Sequence, residues 1–155
     1  MSIHRKSLLL FLIIASALGL ASSASAAPRL WGGTGFNDLG RGTLTFKVNN
    51  GRATVTSLQA LMACTDTSDR SESTRAFSIG RGPTDVLNRN RFNFNFSRDS
   101  GGRTGHIRLS GVLRSNGQGF ARLDMTAVGV DPESGNVIER CQASVNYRMR
   151  RGPAT

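Results

Sequence analysis

What this chain has little of narrows its chemistry before any pattern is read. Its 155 residues include two cysteines and two histidines, His4 and His106. Once the cysteines pair with each other, too few ligands remain for a three- or four-ligand zinc site. His106 is the only histidine outside the extreme N-terminal stretch, so any Ser-His-Asp or Cys-His machinery would depend wholly on it. The acids number ten, and most sit in turn-like segments. Asp124 lies inside an alternating segment beside Arg122 and reads as an ion-pair partner rather than half of a glycosidase pair. Asp66, Asp69 and Glu72 offer oxygen atoms, but Arg70 and Arg75 interleave with them and the spacing lacks an EF-hand's glycine and closing glutamate, so a solvated loop is expected. No enzymatic activity, cofactor or metal is expected. Past residue 26 there is no long apolar run, and no integral membrane span is expected there.

What is present begins with an address. His4-Arg5-Lys6, an apolar run from Leu8 to Leu20, and small residues ending Ala24-Ser25-Ala26 follow the order of a secretory signal peptide, and the run is too short for a permanent span. Cleavage after Ala26 is expected, with the remaining chain secreted or periplasmic. Disulfides persist in that compartment, and two cysteines allow one intramolecular pairing, Cys64 with Cys141. Two free buried thiols are the alternative. In the chain-entropy picture, closing so long a loop contributes roughly 4–5 kcal/mol, comparable with the net stability of a small domain.

The charge balance is strongly basic. The formal net charge of +10 becomes +8 when Arg5 and Lys6 leave with the signal, and Lys47 is the only lysine past residue 26. The positive charge is therefore almost all arginine, whose planar fork suits phosphate and carboxylate. A GC-rich genome and solubility alone would also produce it.

Beyond the signal the chain reads as strands and turns. Thr43 to Val48 alternates, with Leu44, Phe46 and Val48 on one side, and Asn50-Gly51 is a strong hairpin signal. The returning strand, Arg52 to Cys64, changes inward parity near Ser57-Leu58, which predicts a bulge or bend. Residues 65–76 contain no large apolar side chain and are expected as an exposed loop. Arg91 to Ser97 places Phe92, Phe94 and Phe96 on one face, a core strand with Arg91 and Arg98 as charged ends. His106 to Leu113, Phe120 to Val130, and a last strand through Cys141 to Met149 alternate in the same way. Trp31 is expected to plug one end of the core rather than serve as a sugar platform. The expected fold is all-β, an antiparallel β-sandwich or flattened barrel of about seven to nine strands with one disulfide. The expected layout is a signal peptide at 1–26, a glycine-rich lead at 27–42, the β-domain at 43–150 and a flexible tail at 151–155.

The Gly-Thr-Gly of the lead, Leu44 to Val48 with its Asn50-Gly51 turn, Cys64, Arg91-Phe92, Ile107 to Gly111, and the closing Cys141 to Tyr147 together resemble small exported one-disulfide β-domains of bacteria. Tyr147 stands where such a domain would carry tryptophan. The resemblance implies a location in the bacterial envelope or outside the cell and carries over no catalytic residue.

On parity, Arg108, Arg122, Arg148 and Arg150 all point outward, with Ser110, Thr126, Gln142 and Asn146 as neutral companions. If their strands are neighbours, they form a cradle for a phosphate- or uronate-rich polymer. An anionic polysaccharide or other polyanion is the expected partner. The alternative is a protein-interaction, inhibitor or structural module that docks through the 65–76 loop or an edge strand. Nucleic acid is set aside, because the phenylalanines of the 91–97 strand face inward and leave no stacking strip.

Overall fold

The computed structural model describes residues 27–100 and 102–153. The expected signal peptide at 1–26 lies outside the described residues. Nine antiparallel strands form one sheet: β1 (Arg29–Asn37), β2 (Gly40–Asn49), β3 (Arg52–Asp66), β4 (Glu72–Ile79), β5 (Thr84–Val86), β6 (Arg91–Ser100), β7 (Arg103–Leu113), β8 (Gln118–Val130) and β9 (Val137–Arg151). Their order is β4-β3-β2-β1-β9-β8-β7-β6, with β5 on β3 and an additional pairing of β3 with β9. The all-β antiparallel fold with one disulfide is thus what the chain adopts, its strands continuous in one sheet as in a flattened barrel.

The two fifteen-residue strands explain how one sheet makes two layers. One edge of β3 pairs with β2 over Arg52–Gln59 and then with β9 over Ala63–Asp66. One edge of β9 pairs with β3 over Glu139–Gln142 and then with β1 over Asn146–Arg151. The β1–β2 hairpin is therefore a wedge driven between β3 and β9, so the sheet is wider at one end and must coil. Coiling brings β2 against β6, with four strands between them in the sheet order. The Phe46 ring lies 4.7 Å from Phe92 and 5.9 Å from Phe94, centroid to centroid. This aromatic contact joins the two layers, with Leu44, Leu58, Ile107, Leu109, Leu123 and Val145 buried around it.

The glycine-rich 27–42 stretch, expected as a lead before the domain, supplies β1, an interior strand of the sheet. Its inward Gly33 and Gly35 face Met149 and Tyr147 of β9, and a Cβ on Gly35 would lie 2.8 Å from Val145 Cγ1. Glycine thus makes room for large side chains that the neighbouring strand contributes. Tyr147 fills that room, fully buried, and its hydroxyl donates to the Gln59 carbonyl at 3.1 Å. The parity change near Ser57 is a bulge: Thr45 pairs with Ser57 but Phe46 with Val55. Asn50 and Gly51 both have positive φ, 47° and 71°, as the hairpin signal requires.

The 65–76 segment departs from the expected loop. Its second half begins β4, which pairs along β3 from Leu58 with Ile79 to Thr65 with Glu72. Only the turn at 67–71 interrupts the ladder. The free edge of a long strand supplies hydrogen-bond partners that composition cannot reveal, so a polar, exposed segment becomes a terminal strand. At the other end, Arg151 completes β9 ahead of Gly152 and Pro153.

Candidate functional site

Cys64 and Cys141 form the disulfide. They are direct register partners where β3 meets β9, so the bridge ties neighbours in one sheet rather than the edges of two. Beside it Glu139, two residues before Cys141 and on the same inward parity, is 8 % exposed. Arg103 Nε donates to its Oε2 at 2.7 Å, and Arg75 Nη2 donates to Oε1 at 3.1 Å. Gly129 separates Glu139 from Arg103 in register, and its bare backbone lets the guanidinium reach across β8. The hydrogen bond from Arg103, with Arg75 helping, holds the Glu139 carboxyl below its ordinary range. The sulfurs are bonded to each other and the carboxylate is held by two guanidinia, so this cluster is a charged plug at one end of the core.

The four outward arginines lie on one face. Arg108 pairs in register with Asp124, and Asp124 with Ser144. One row along, Ser110, Arg122, Asn146 and Phe36 follow one another across β7, β8, β9 and β1. The next row holds Val112, Phe120, Arg148 and Thr34, and Arg150 stands opposite Gln118 beyond it. Arg122 is not free to meet a ligand alone: its Nε lies 2.8 Å from Asp124 Oδ2 and its Nη2 3.2 Å from Ser144 Oγ. The hydrogen bonds from Arg122 and Ser144 hold the Asp124 carboxyl below its ordinary range, and Arg108 adds to the effect. Arg108, Arg148 and Arg150 make no ion pair among the described residues.

Two aromatic side chains on this face were not anticipated. Phe36 is 68 % exposed and Phe120 49 % exposed, and Arg114 sits 5.6 Å above the Phe120 ring. The phenylalanines of the 91–97 strand do face inward, Phe92 and Phe94 buried and Phe96 packed against the core, whereas Phe36 and Phe120 on other strands face outward. The signal was present, because Phe120 shares the even parity of Arg122 and Asp124. Trp31, by contrast, is buried in the core as expected.

The outer face is not flat. Where the wedge hairpin ends, Asn37, Asp38 and Leu39 form one wall of an open groove of about 690 Å³. His106, Arg108, Asp124 and Ser144 line its floor. The Asn37 side chain shapes the turn by accepting from Leu39 N and Gly40 N and donating to the Leu61 carbonyl. A smaller hollow of about 360 Å³ lies between Phe120 and Arg122, with Ser110, Val112 and Asn146 completing it.

His106 Nδ1 lies 2.7 Å from Ser97 Oγ, the spacing of a base and a nucleophile. Among the described residues no hydrogen bond or ion pair joins a carboxylate to His106. Asp66 and Asp69 accept hydrogen bonds from Ser68 and Ser71 within their own turn, which lowers both carboxyls below the ordinary range. Among the described residues no helix is long and apolar enough to cross a membrane. No family model, curated protein or solved structure matches the chain.

Proposed function

We propose that this chain is an exported, non-enzymatic β-domain, secreted or periplasmic, that binds anionic polymers of the envelope or extracellular space through the outer face of β7, β8 and β9. The observation that carries this reading is the placement of Arg108, Arg148 and Arg150, none of them ion-paired among the described residues, on one exposed face with Ser110 and Asn146 between them and Gln142 one row beyond Arg108. Guanidinia spaced along neighbouring strands suit a chain of anions better than a single small anion, because each can engage a different charged group. The disulfide suits an oxidising compartment.

The test is the salt dependence of binding to an anionic polysaccharide column. Affinity is expected to fall steeply between low and high ionic strength, and the slope is expected to flatten when Arg108, Arg148 and Arg150 are changed to serine. Binding that ignores salt and these substitutions would overturn the reading. It would favour strand addition by a protein partner instead, for which β4 and β6 stand at the two ends of the sheet order.

A further inference from the structure

The hollow beside Phe120 differs in character from the arginine field around it. Its lining is Val112 and the Phe120 ring, with the hydroxyl of Ser110 and the amide of Asn146 as neutral hydrogen-bonding groups. The one guanidinium on its rim, Arg122, already holds the Asp124 carboxylate through Nε and Nη2. Two cations without an ion pair among the described residues stand beside the ring: Arg114, 5.6 Å from the Phe120 centroid, and Arg148, the register partner of Phe120 on β9. Directly opposed residues have Cβ atoms about 5 Å apart. An aromatic ring with neutral donors and acceptors therefore lines a space of about 360 Å³, and Arg148 occupies the adjoining register position on β9.

A polymer of bare phosphates has no use for such a hollow, since it offers neither an apolar face nor hydroxyls. A sugar ring offers both: its C–H face stacks on an aromatic plane and its hydroxyls hydrogen-bond at the edge. A ring that also carries a carboxylate matches Arg148, which can take it with two parallel N–H donors. Base stacking would call for a strip of rings along a cationic groove. Here Phe120 and Phe36 lie two strands apart, with Asn146 and Arg148 between them, so the rings form no continuous strip.

We infer that the hollow bounded by Phe120, Ser110 and Asn146, with Arg148 at the adjoining register position, is a subsite for a uronic-acid ring of an anionic polysaccharide, with Phe36 a second platform further along the same chain. This rests on the polyanion reading and specifies its ligand. Asp124 acts against anion binding by occupying Arg122, so the affinity at this face is held below what its arginines would otherwise deliver.

The experiment is calorimetric titration of the intact oxidised domain with three probes: an oligogalacturonate, inorganic polyphosphate of similar length, and a single-stranded oligonucleotide. Phe120→Ala is expected to weaken oligogalacturonate binding by roughly fivefold to tenfold while leaving polyphosphate unchanged. Phe120→Tyr should restore it. Arg148→Ser should weaken both, and Asp124→Asn should strengthen both by releasing Arg122. Phe120 is half exposed, so circular dichroism and the unfolding midpoint of Phe120→Ala should match the parent and separate lost contact from lost fold. If Phe120→Ala leaves oligogalacturonate binding unchanged, or weakens polyphosphate equally, the sugar subsite is wrong while the polyanion reading survives. Tighter, Phe120-dependent binding of the oligonucleotide would replace the sugar with a nucleobase. Failure of all three probes to bind at low salt would remove both proposals.

Discussion

Cys64 and Cys141 oppose each other in register with 4.0 Å between their Cα atoms, at the point where the β1–β2 hairpin ceases to separate β3 from β9. The bond closes a loop of 77 residues in sequence separation and clamps the narrow end of the wedge. Reduction, or Cys64→Ser with Cys141→Ser, is expected to cost about 4–5 kcal/mol of stability by loop entropy. Hydrogen exchange should show the loss of protection concentrated at Ala63–Asp66 and Glu139–Gln142 before it spreads. Unchanged protection at that junction would mean that the ladder alone holds it.

The Glu139 plug gives the fold an acid limit. Its carboxyl is lowered from an ordinary value of 4.5 by the hydrogen bond from Arg103 and then by Arg75, so the unfolded chain binds the proton more readily than the folded one. The stabilisation is complete above the ordinary value and lost as pH falls through the lower, folded one. Glu139→Gln is expected to cost about 1–2 kcal/mol near neutral pH, a modest amount because both arginines are partly exposed and can rehydrate. The gap between parent and variant should narrow on acidification, as read from urea midpoints at a series of pH values.

Gly111 tests how closely β7 and β8 pack on β6. A Cβ there would run into the Phe120 carbonyl oxygen, 2.5 Å from Phe92 Cζ and 2.9 Å from Ala121 Cα. Gly111→Ala is expected to destabilise by about 2–3 kcal/mol. Gly80 has open space around its Cβ position and no positive φ, so Gly80→Ala should be neutral or slightly stabilising. Thermal melts of the two variants make the comparison.

Phe46 is the hinge between the two layers. Phe46→Ala is expected to cost about 3–5 kcal/mol. In a double-mutant cycle with Phe92→Leu, the pair should show about 0.5–1.5 kcal/mol of coupling, because the rings touch across layers that the sheet order separates. Additive effects in denaturant titrations would show that each ring contributes by burial alone.

Much of this architecture was legible residue by residue. Period-two alternation marked β2, β6, β7, β8 and β9, the Asn50-Gly51 pair marked the first tight hairpin after β2, and the parity break at Ser57 marked the bulge. Strand order was not legible. β1 carries glycines where a core strand shows large apolar residues, because its neighbour β9 supplies Tyr147 and Met149 to fill the space above it. β4 is polar almost throughout and owes its existence to the free edge of β3. At the candidate site, parity placed Arg108, Arg122, Arg148 and Arg150 on one face. The same parity in Phe120, and in Glu139 beside Cys141, carried information that composition-minded reading passes over. The pairing that occupies Arg122 needed the actual positions of Asp124 and Ser144.

The wedge also dictates an order of events during folding. β1 draws one of its two neighbours, and Cys64 its sulfur partner, from β9, the last of the nine described strands in chain order. Until β9 is available, the earlier strands have no way to shut the widened end, although most of the ladder lies between consecutive strands joined as hairpins. The hairpins can therefore form early, while closure of the barrel at its disulfide end waits for the C-terminal strand to reach back to β1 and β3, a long loop closure that comes last.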